Sequence, residues 1–253
     1  MKVVFIGAGN LAYHLSKALH KSGFQIAQIY SRSEASAKEL ALLFHVPYTT
    51  SITNVFDNAS LYIISVSDDA IESVATNFRS TEGLVIHTSG SVPMEILSGK
   101  NKNFGVFYPF QTFSKNREID FSKIPIFLEA NSQKNLEILQ YIAKGISNQI
   151  FLASSQQRMQ VHLSGVFCCN FVNHLYQLSA EMTHHAGFEF DVLTPLILET
   201  ARKAITTGNP GLVQTGPAIR NDSKVINKHL EFLSHNLQVQ KIYSILSEDI
   251  MKK

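Results

Sequence analysis

The sequence predicts an α/β domain on a doubly wound, mainly parallel sheet, followed by an all-helical domain. Three observations carry this. Short apolar runs alternate with helix-like stretches from Lys2 to about Ala153. A glycine-rich turn joins the first run to the first helix. After Ser155 no strand-like break occurs until Gly187, and helical patterns follow to the end. Alternation of this kind implies parallel strands covered on both faces, and its loss implies a change of architecture.

The elements follow in order. "KVVFIG" reads as a buried strand and "NLAYHLSKALHKSG" as a helix stopped at Gly23. "FQIAQIYS" is a second strand. "SEASAKELALLFH" is a second helix, with Ser33 as its N-cap. "LYIISVS" and "GLVIHTS" are strands, with helical "DDAIESVATNF" between them. "NFGVFYPF" and "IPIFLEA" are further strands, "SQKNLEILQYIAKGI" is a helix, and "NQIFLAS" closes the sheet. The stretch from Ser155 to Gly187 is apolar on most sides between Val161 and Tyr176, which predicts a helix buried nearly all round. "DVLTPLILETARKAITTG" and the segment from Ser223 to Lys253 complete the helical part. The division is residues 1–152, a dinucleotide-binding domain, and 153–253, a helical substrate and dimerisation domain.

Composition narrows the function classes. The 253 residues carry a net charge of +2 with 17% charged side chains, so charge gives no drive toward nucleic acid or a membrane surface. Ten histidines are scattered, without metal-ligand spacing, and no metal is expected. The two cysteines, Cys168 and Cys169, are adjacent and read as small apolar residues of a buried helix. Because they cannot easily pair and no third cysteine exists, a reducing, cytoplasmic setting is expected; no targeting segment and no spanning apolar run is visible.

Gly7-Ala8-Gly9-Asn10-Leu11-Ala12 fits the dinucleotide pattern G-x-G-x-x-G/A between a strand and a helix. The first glycine makes the turn, the second admits a pyrophosphate to the backbone, and Ala12 permits tight helix–strand packing. The helix N-terminus offers unpaired N–H groups to the phosphates. An acidic residue ending the second strand would bind an NAD ribose. Here the strand ends in Tyr30-Ser31-Arg32-Ser33, whose hydroxyls and guanidinium suit the 2′-phosphate of NADP. Further strand ends, Val66-Ser67 and Thr88-Ser89, complete the expected cofactor lining. His87 reads as a packed strand residue and Ser67 to Asp69 as a helix start.

These residues resemble a known family. "FIGAGNLA" and "SRS" are similar to pyrroline-5-carboxylate reductases and deazaflavin-linked NADP reductases. Three further stretches resemble a family with a Rossmann-like domain and a helical domain of unknown function, similar to the 6-phosphogluconate dehydrogenase C-terminal type. "YPFQTFS" resembles its His-Pro-x-Gln-x-Phe segment. "VHLSGVFCCNFVNHL" resembles its Tyr-His-x-Ala…Ser-Asn helix. "TGPAIRNDSKVINKHL" resembles its Thr-Gly-Pro-x-x-Arg-x-Asp…His-Leu signature. Tyr108 stands where the family has His, so a proton-relay role is not expected of Tyr108 itself, and Val161 stands where it has Tyr. The resemblance implies an NADP-dependent oxidoreductase that pairs through its helical domain as a homodimer.

His162, Asn170 and Asn173 share an apolar helix, and α-helical spacing would set them along one wall of a cleft. His162 is the candidate acid/base, Asn170 an orienting group and Arg220 a clamp for a substrate anion. The bland readings are interhelical hydrogen bonds for the helix residues and an Arg220–Asp222 pair that only fixes its loop. Asn221 or Asp222 could cap the next helix. His184 and His185, before Gly187, read as cations complementing a helix C-terminus. The expected activity is hydride transfer between the nicotinamide and a small keto or imino substrate, acidic by analogy. The rival is a non-catalytic NADP-binding dimeric regulator. A deazaflavin partner is a narrower rival, for which the sequence offers no second site.

Overall fold

A computed structural model describes residues 1–79 and 81–252. Lys253, the last residue of the final expected helix, lies outside the described residues. The chain divides into two compact units, Met1–Cys168 and Cys169–Lys253.

The first unit is one eight-stranded sheet with helices on both faces. Its elements are β1 (Lys2–Ile6), α1 (Asn10–Lys21), β2 (Gln25–Tyr30), α2 (Glu34–Leu42), β3 (Tyr48–Thr49), β4 (Leu61–Ile64), α3 (Asp68–Asn77), β5 (Leu84–His87), β6 (Phe104–Pro109), β7 (Ile126–Ala130), α4 (Gln133–Lys144), β8 (Ile150–Leu152) and α5 (Ser155–Gly165). The order across the sheet is β3-β2-β1-β4-β5-β6-β7-β8. All neighbours are parallel except β6 and β7. The order reverses between β1 and β4, where doubly wound sheets open a ligand crevice.

Strand periodicity splits the core into two. Val3, Phe5, Leu61 and Ile63 face one cluster, packed under Leu15 and Leu19 of α1 and Leu139 and Ile142 of α4. Val4, Ile6, Tyr62 and Ile64 face the other, with Ile71 and Ala75 of α3 and the adjoining Phe78. Successive strand residues point to opposite faces, so unbroken apolar runs are required. Each fully buried Leu or Ile contributes about 1.5–3 kcal/mol.

Helix ends follow their sequence signals. Gly23 takes φ +87° just past α1, and the Phe24 N–H bonds back to the Leu19 carbonyl at 3.0 Å. That left-handed turn favours glycine. Ser33 caps α2 by accepting from the Ser36 N–H at 3.3 Å. Ser154 and Gln157 form a reciprocal capping box that starts α5.

After α5, Val166–Phe171 is wound as a π-helix. The second unit then contains α6 (Val172–His185), α7 (Thr194–Thr207), α8 (Ser223–Phe232) and α9 (Leu237–Met251). His184 and His185 occupy the last turn of α6, before Gly187 at φ +83°. Asp222 caps α8, accepting from the Val225 N–H at 3.2 Å. Two expectations fail here. The helix around Val161 to Tyr176 is not buried: Leu163, Phe167 and Phe171 are each at least half exposed. Cys168 is exposed and Cys169 only partly covered. No helix among the described residues is long and apolar enough to cross a membrane.

Candidate active site

A cleft of about 1010 Å³ runs across the carboxyl ends of β1, β2, β4, β5 and β6. Its floor is the turn after β1. Gly7 sits at φ +123°, and a Cβ there would lie 2.0 Å from the Ser65 carbonyl oxygen, so β4 leaves room only for glycine. A Cβ on Gly9 would meet nothing within 4 Å. No side chain caps α1, whose first N–H groups therefore lack intrahelical and capping partners. The open space and uncapped N–H groups fit a pyrophosphate.

At one end of the cleft lie Tyr30, Ser31 and Arg32, joined by Ser36. Arg32 is exposed and has no ion pair among the described residues, which leaves its guanidinium available to a phosphate. Toward the other end lie Val66, Ser67, Thr88, Ser89 and Gly90, then Tyr108, Gln111, Phe113 and His162. The volume and this lining suit a dinucleotide.

Most expected cofactor residues line the cleft: Gly7, Gly9, Asn10, Leu11, Ser31, Arg32, Val66, Ser67, Thr88 and Ser89. Ala12 and Ser33 do not. Ala12 is fully buried on the inner face of α1, in the packing role its position requires, and the Ser33 hydroxyl is engaged as the α2 cap. The Asn10 side chain is also engaged, since its Nδ2 donates to the Phe113 carbonyl at 3.0 Å. Its contribution to a phosphate is then the backbone N–H.

His162 Nδ1 lies 3.1 Å from Tyr108 Oη. Burial, helped by the Asp68 charge, pushes the Tyr108 hydroxyl up to about 12, so it stays protonated. Both rings crowd Gly90: a Cβ there would lie 2.6 Å from Tyr108 Cζ and 2.7 Å from His162 Nδ1. Gly165 likewise admits Phe110, whose Cε2 would be 2.6 Å from an added Cβ.

Sequence reasoning missed Arg158. Its side chain is 1% exposed and sits one turn before His162. The guanidinium pairs with Glu129 of β7 at 3.0 Å, and its Nε donates to the Ser89 carbonyl at 3.2 Å. It also donates to the Val92 carbonyl. Glu129 accepts in turn from the Ser155 N–H and hydroxyl, both at 2.8 Å. The pair thus fastens α5 to β7 and to the loop after β5, which fixes His162 against Tyr108.

Asn170, Asn173 and Arg220 belong to the second unit. The expected spacing of His162, Asn170 and Asn173 assumes an α-helix throughout, whereas Val166–Phe171, with Asn170 inside it, is a π-helix. Arg220 is exposed and forms no ion pair with Asp222, whose carboxylate caps α8. No group of three His, Cys, Asp or Glu among the described residues could hold a metal ion.

Two family models match the chain. Residues 2–89 match "NADP oxidoreductase coenzyme F420-dependent", and residues 124–250 match the domain of unknown function DUF2520. Among solved structures, a candidate NADP oxidoreductase from Bacteroides fragilis is 46% identical, covers 100% of this chain and 98% of its own, and superposes with TM-score 0.91. The 1-pyrroline-5-carboxylate reductase of Streptococcus pyogenes shares the fold at 16% identity, covering 100% of this chain and 99% of its own, TM-score 0.66. An imine reductase from Myxococcus stipitatus, in complex with NADP+, shares it at 12% identity, covering 100% and 92%, TM-score 0.63. No curated protein matches. With a cleft that fits NADP and both halves matched, the chain belongs to the NADP oxidoreductase family whose C-terminal part is the domain DUF2520.

Proposed function

We propose that this protein is an NADPH-dependent reductase of a small keto or imino substrate carrying an acidic group. One observation supports it above the others: a hydrogen-bonded tyrosine–histidine pair lines the cleft at the end remote from Arg32. Bound NADPH supplies the hydride. The chain supplies the proton. His162 in its charged form donates Nδ1–H to Tyr108 Oη, while Tyr108 passes its own hydroxyl proton to the substrate oxygen or nitrogen. The high proton affinity of Tyr108 keeps that hydroxyl loaded. Tyr108 thereby takes the relay position that the family fills with His. Ser31, Arg32 and the first N–H groups of α1 hold the phosphates. Asn170 and Arg220 are the candidates in the second unit for orienting the substrate and for holding its acidic group.

The second unit also favours a homodimer. Ala218, Ile226 and Leu233 are its only buried apolar residues among those described, while Leu196, Ile205, Leu212, Phe232 and Leu237 are each more than 60% exposed. A helical unit with so little core needs apolar cover from another surface, and a second copy supplies it. Light scattering on a sizing column gives twice the chain mass if so.

The activity test follows NADPH oxidation with pyruvate, phenylpyruvate, 1-pyrroline-2-carboxylate and 1-pyrroline-5-carboxylate. Turnover with one of these, lost in His162→Ala and in Tyr108→Phe, supports the reading. Tight NADPH binding without turnover favours the non-catalytic regulator. Full turnover by both variants removes the relay.

A further inference from the structure

Gln111 follows β6 and lines the same cleft. Its amide has one possible orientation. The Thr112 N–H lies 2.8 Å from Oε1 and the Thr112 hydroxyl 3.3 Å. A backbone N–H only donates, so the atom facing it must be the oxygen. The two Nε2–H groups therefore point away from Thr112, and Gln111 is exposed at the cleft wall.

The loop that carries Gln111 is tied to the pyrophosphate helix. Asn10, the first residue of α1, donates to the Phe113 carbonyl at 3.0 Å. One turn on, His14 Nε2 lies 3.0 Å from the Ser114 carbonyl, which can only accept. The Phe113 ring stacks on Phe121, with centroids 5.9 Å apart. The donors of Gln111 are thus referenced to the helix end that takes the pyrophosphate, and they stand on the nicotinamide side of it. The acceptor that a nicotinamide ring offers is its carboxamide oxygen.

We propose that Gln111 Nε2 donates to the nicotinamide carboxamide of bound NADP, and so sets the orientation of the ring. This rests on the NADP reading above. The engaged Oε1 makes the contact one-way: Gln111 gives a hydrogen bond and takes none from the carboxamide. Asn10 acts through the loop as a positioning residue.

The test is calorimetric titration of the full-length protein with NADP+ and with 2′-phospho-ADP-ribose, which lacks the nicotinamide. Gln111→Leu removes the donors and adds no charge. NADP+ affinity falls about 3- to 10-fold in Gln111→Leu, the worth of one hydrogen bond, and 2′-phospho-ADP-ribose affinity is unchanged. Unchanged NADP+ affinity in Gln111→Leu overturns the proposal and assigns the donors to the substrate. An equal loss for both ligands also overturns it, as general damage to the cleft. Wild-type protein that binds neither ligand refutes the NADP reading itself, and this inference with it.

Discussion

Lowering the pH from 7 to 4 removes about 3 kcal/mol of stability through one residue, His87. It ends β5 with no solvent exposure. Its Nδ1 accepts from the Ser89 N–H at 3.2 Å, and its Nε2 has no hydrogen-bond partner. Burial, then the Arg158 charge, hold its imidazole down from 6.5 to about 4, against weaker opposition from the Pro93 carbonyl and Asp68. Above pH 6.5 neither the folded nor the unfolded chain protonates this ring. Between 6.5 and 4 the unfolded chain takes the proton and the folded one refuses it, so stability falls as pH falls through that window. Below 4 both are protonated and the loss is complete. At 1.36 kcal/mol per pH decade the full loss is about 3 kcal/mol, or roughly 6–12 °C in melting temperature for a chain of this size. The chain has no tryptophan, so urea unfolding is followed by far-ultraviolet circular dichroism at a series of pH values. His87→Gln keeps an acceptor for Ser89 and does not titrate. Its stability difference from wild type should change by about 3 kcal/mol between pH 7 and pH 4. Parallel pH profiles for the two proteins would refute the reasoning, because carboxylates and the other histidines cancel in the comparison.

Other substitutions separate binding, chemistry and fold. Arg158→Met strands the Glu129 carboxylate in a mostly buried site and should cost about 3–5 kcal/mol; a loss below about 1 kcal/mol in urea unfolding would contradict the buried-pair account. Gly90→Ala drives a methyl into Tyr108 and His162. It should leave NADPH affinity nearly intact and lower turnover about 100-fold or more, which steady-state kinetics would contradict by showing wild-type rates. Arg32→Ala should weaken NADPH roughly 10- to 100-fold and leave NADH unchanged, as read by fluorescence titration of the reduced nicotinamide; equal losses for both nucleotides would remove the 2′-phosphate assignment.

What the sequence discloses is what acts locally. The Gly7 turn, the Gly23 stop, the Ser33 cap and the apolar strands are each specified within a few residues, and each is found in place. The strand β3 escapes because Tyr48 and Thr49 make no apolar run; only pairing with Ile29 and Tyr30 defines it. Arg158 escapes for a similar reason. Within "SQQRMQ" it reads as a solvated helix start, and nothing nearby announces Glu129, 29 residues earlier on another strand. Whether a charge can be buried is decided by its tertiary partner, and local pattern carries no trace of one. The π-helix at Val166–Phe171 hides too, because its residues also suit an α-helix.

Tyr108 shows how the two kinds of information combine. By motif alone it is a departure, a tyrosine in place of histidine. In the fold its hydroxyl meets His162, 54 residues later. That meeting requires the absence of a side chain at Gly90 and the anchoring of α5 by Arg158, features contributed by three separate segments. A tyrosine at this position without Gly90 would clash, and without Arg158 would face a helix free to shift. In the relay proposed above, the hydroxyl of Tyr108 is the proton donor, in place of the histidine of the family it resembles.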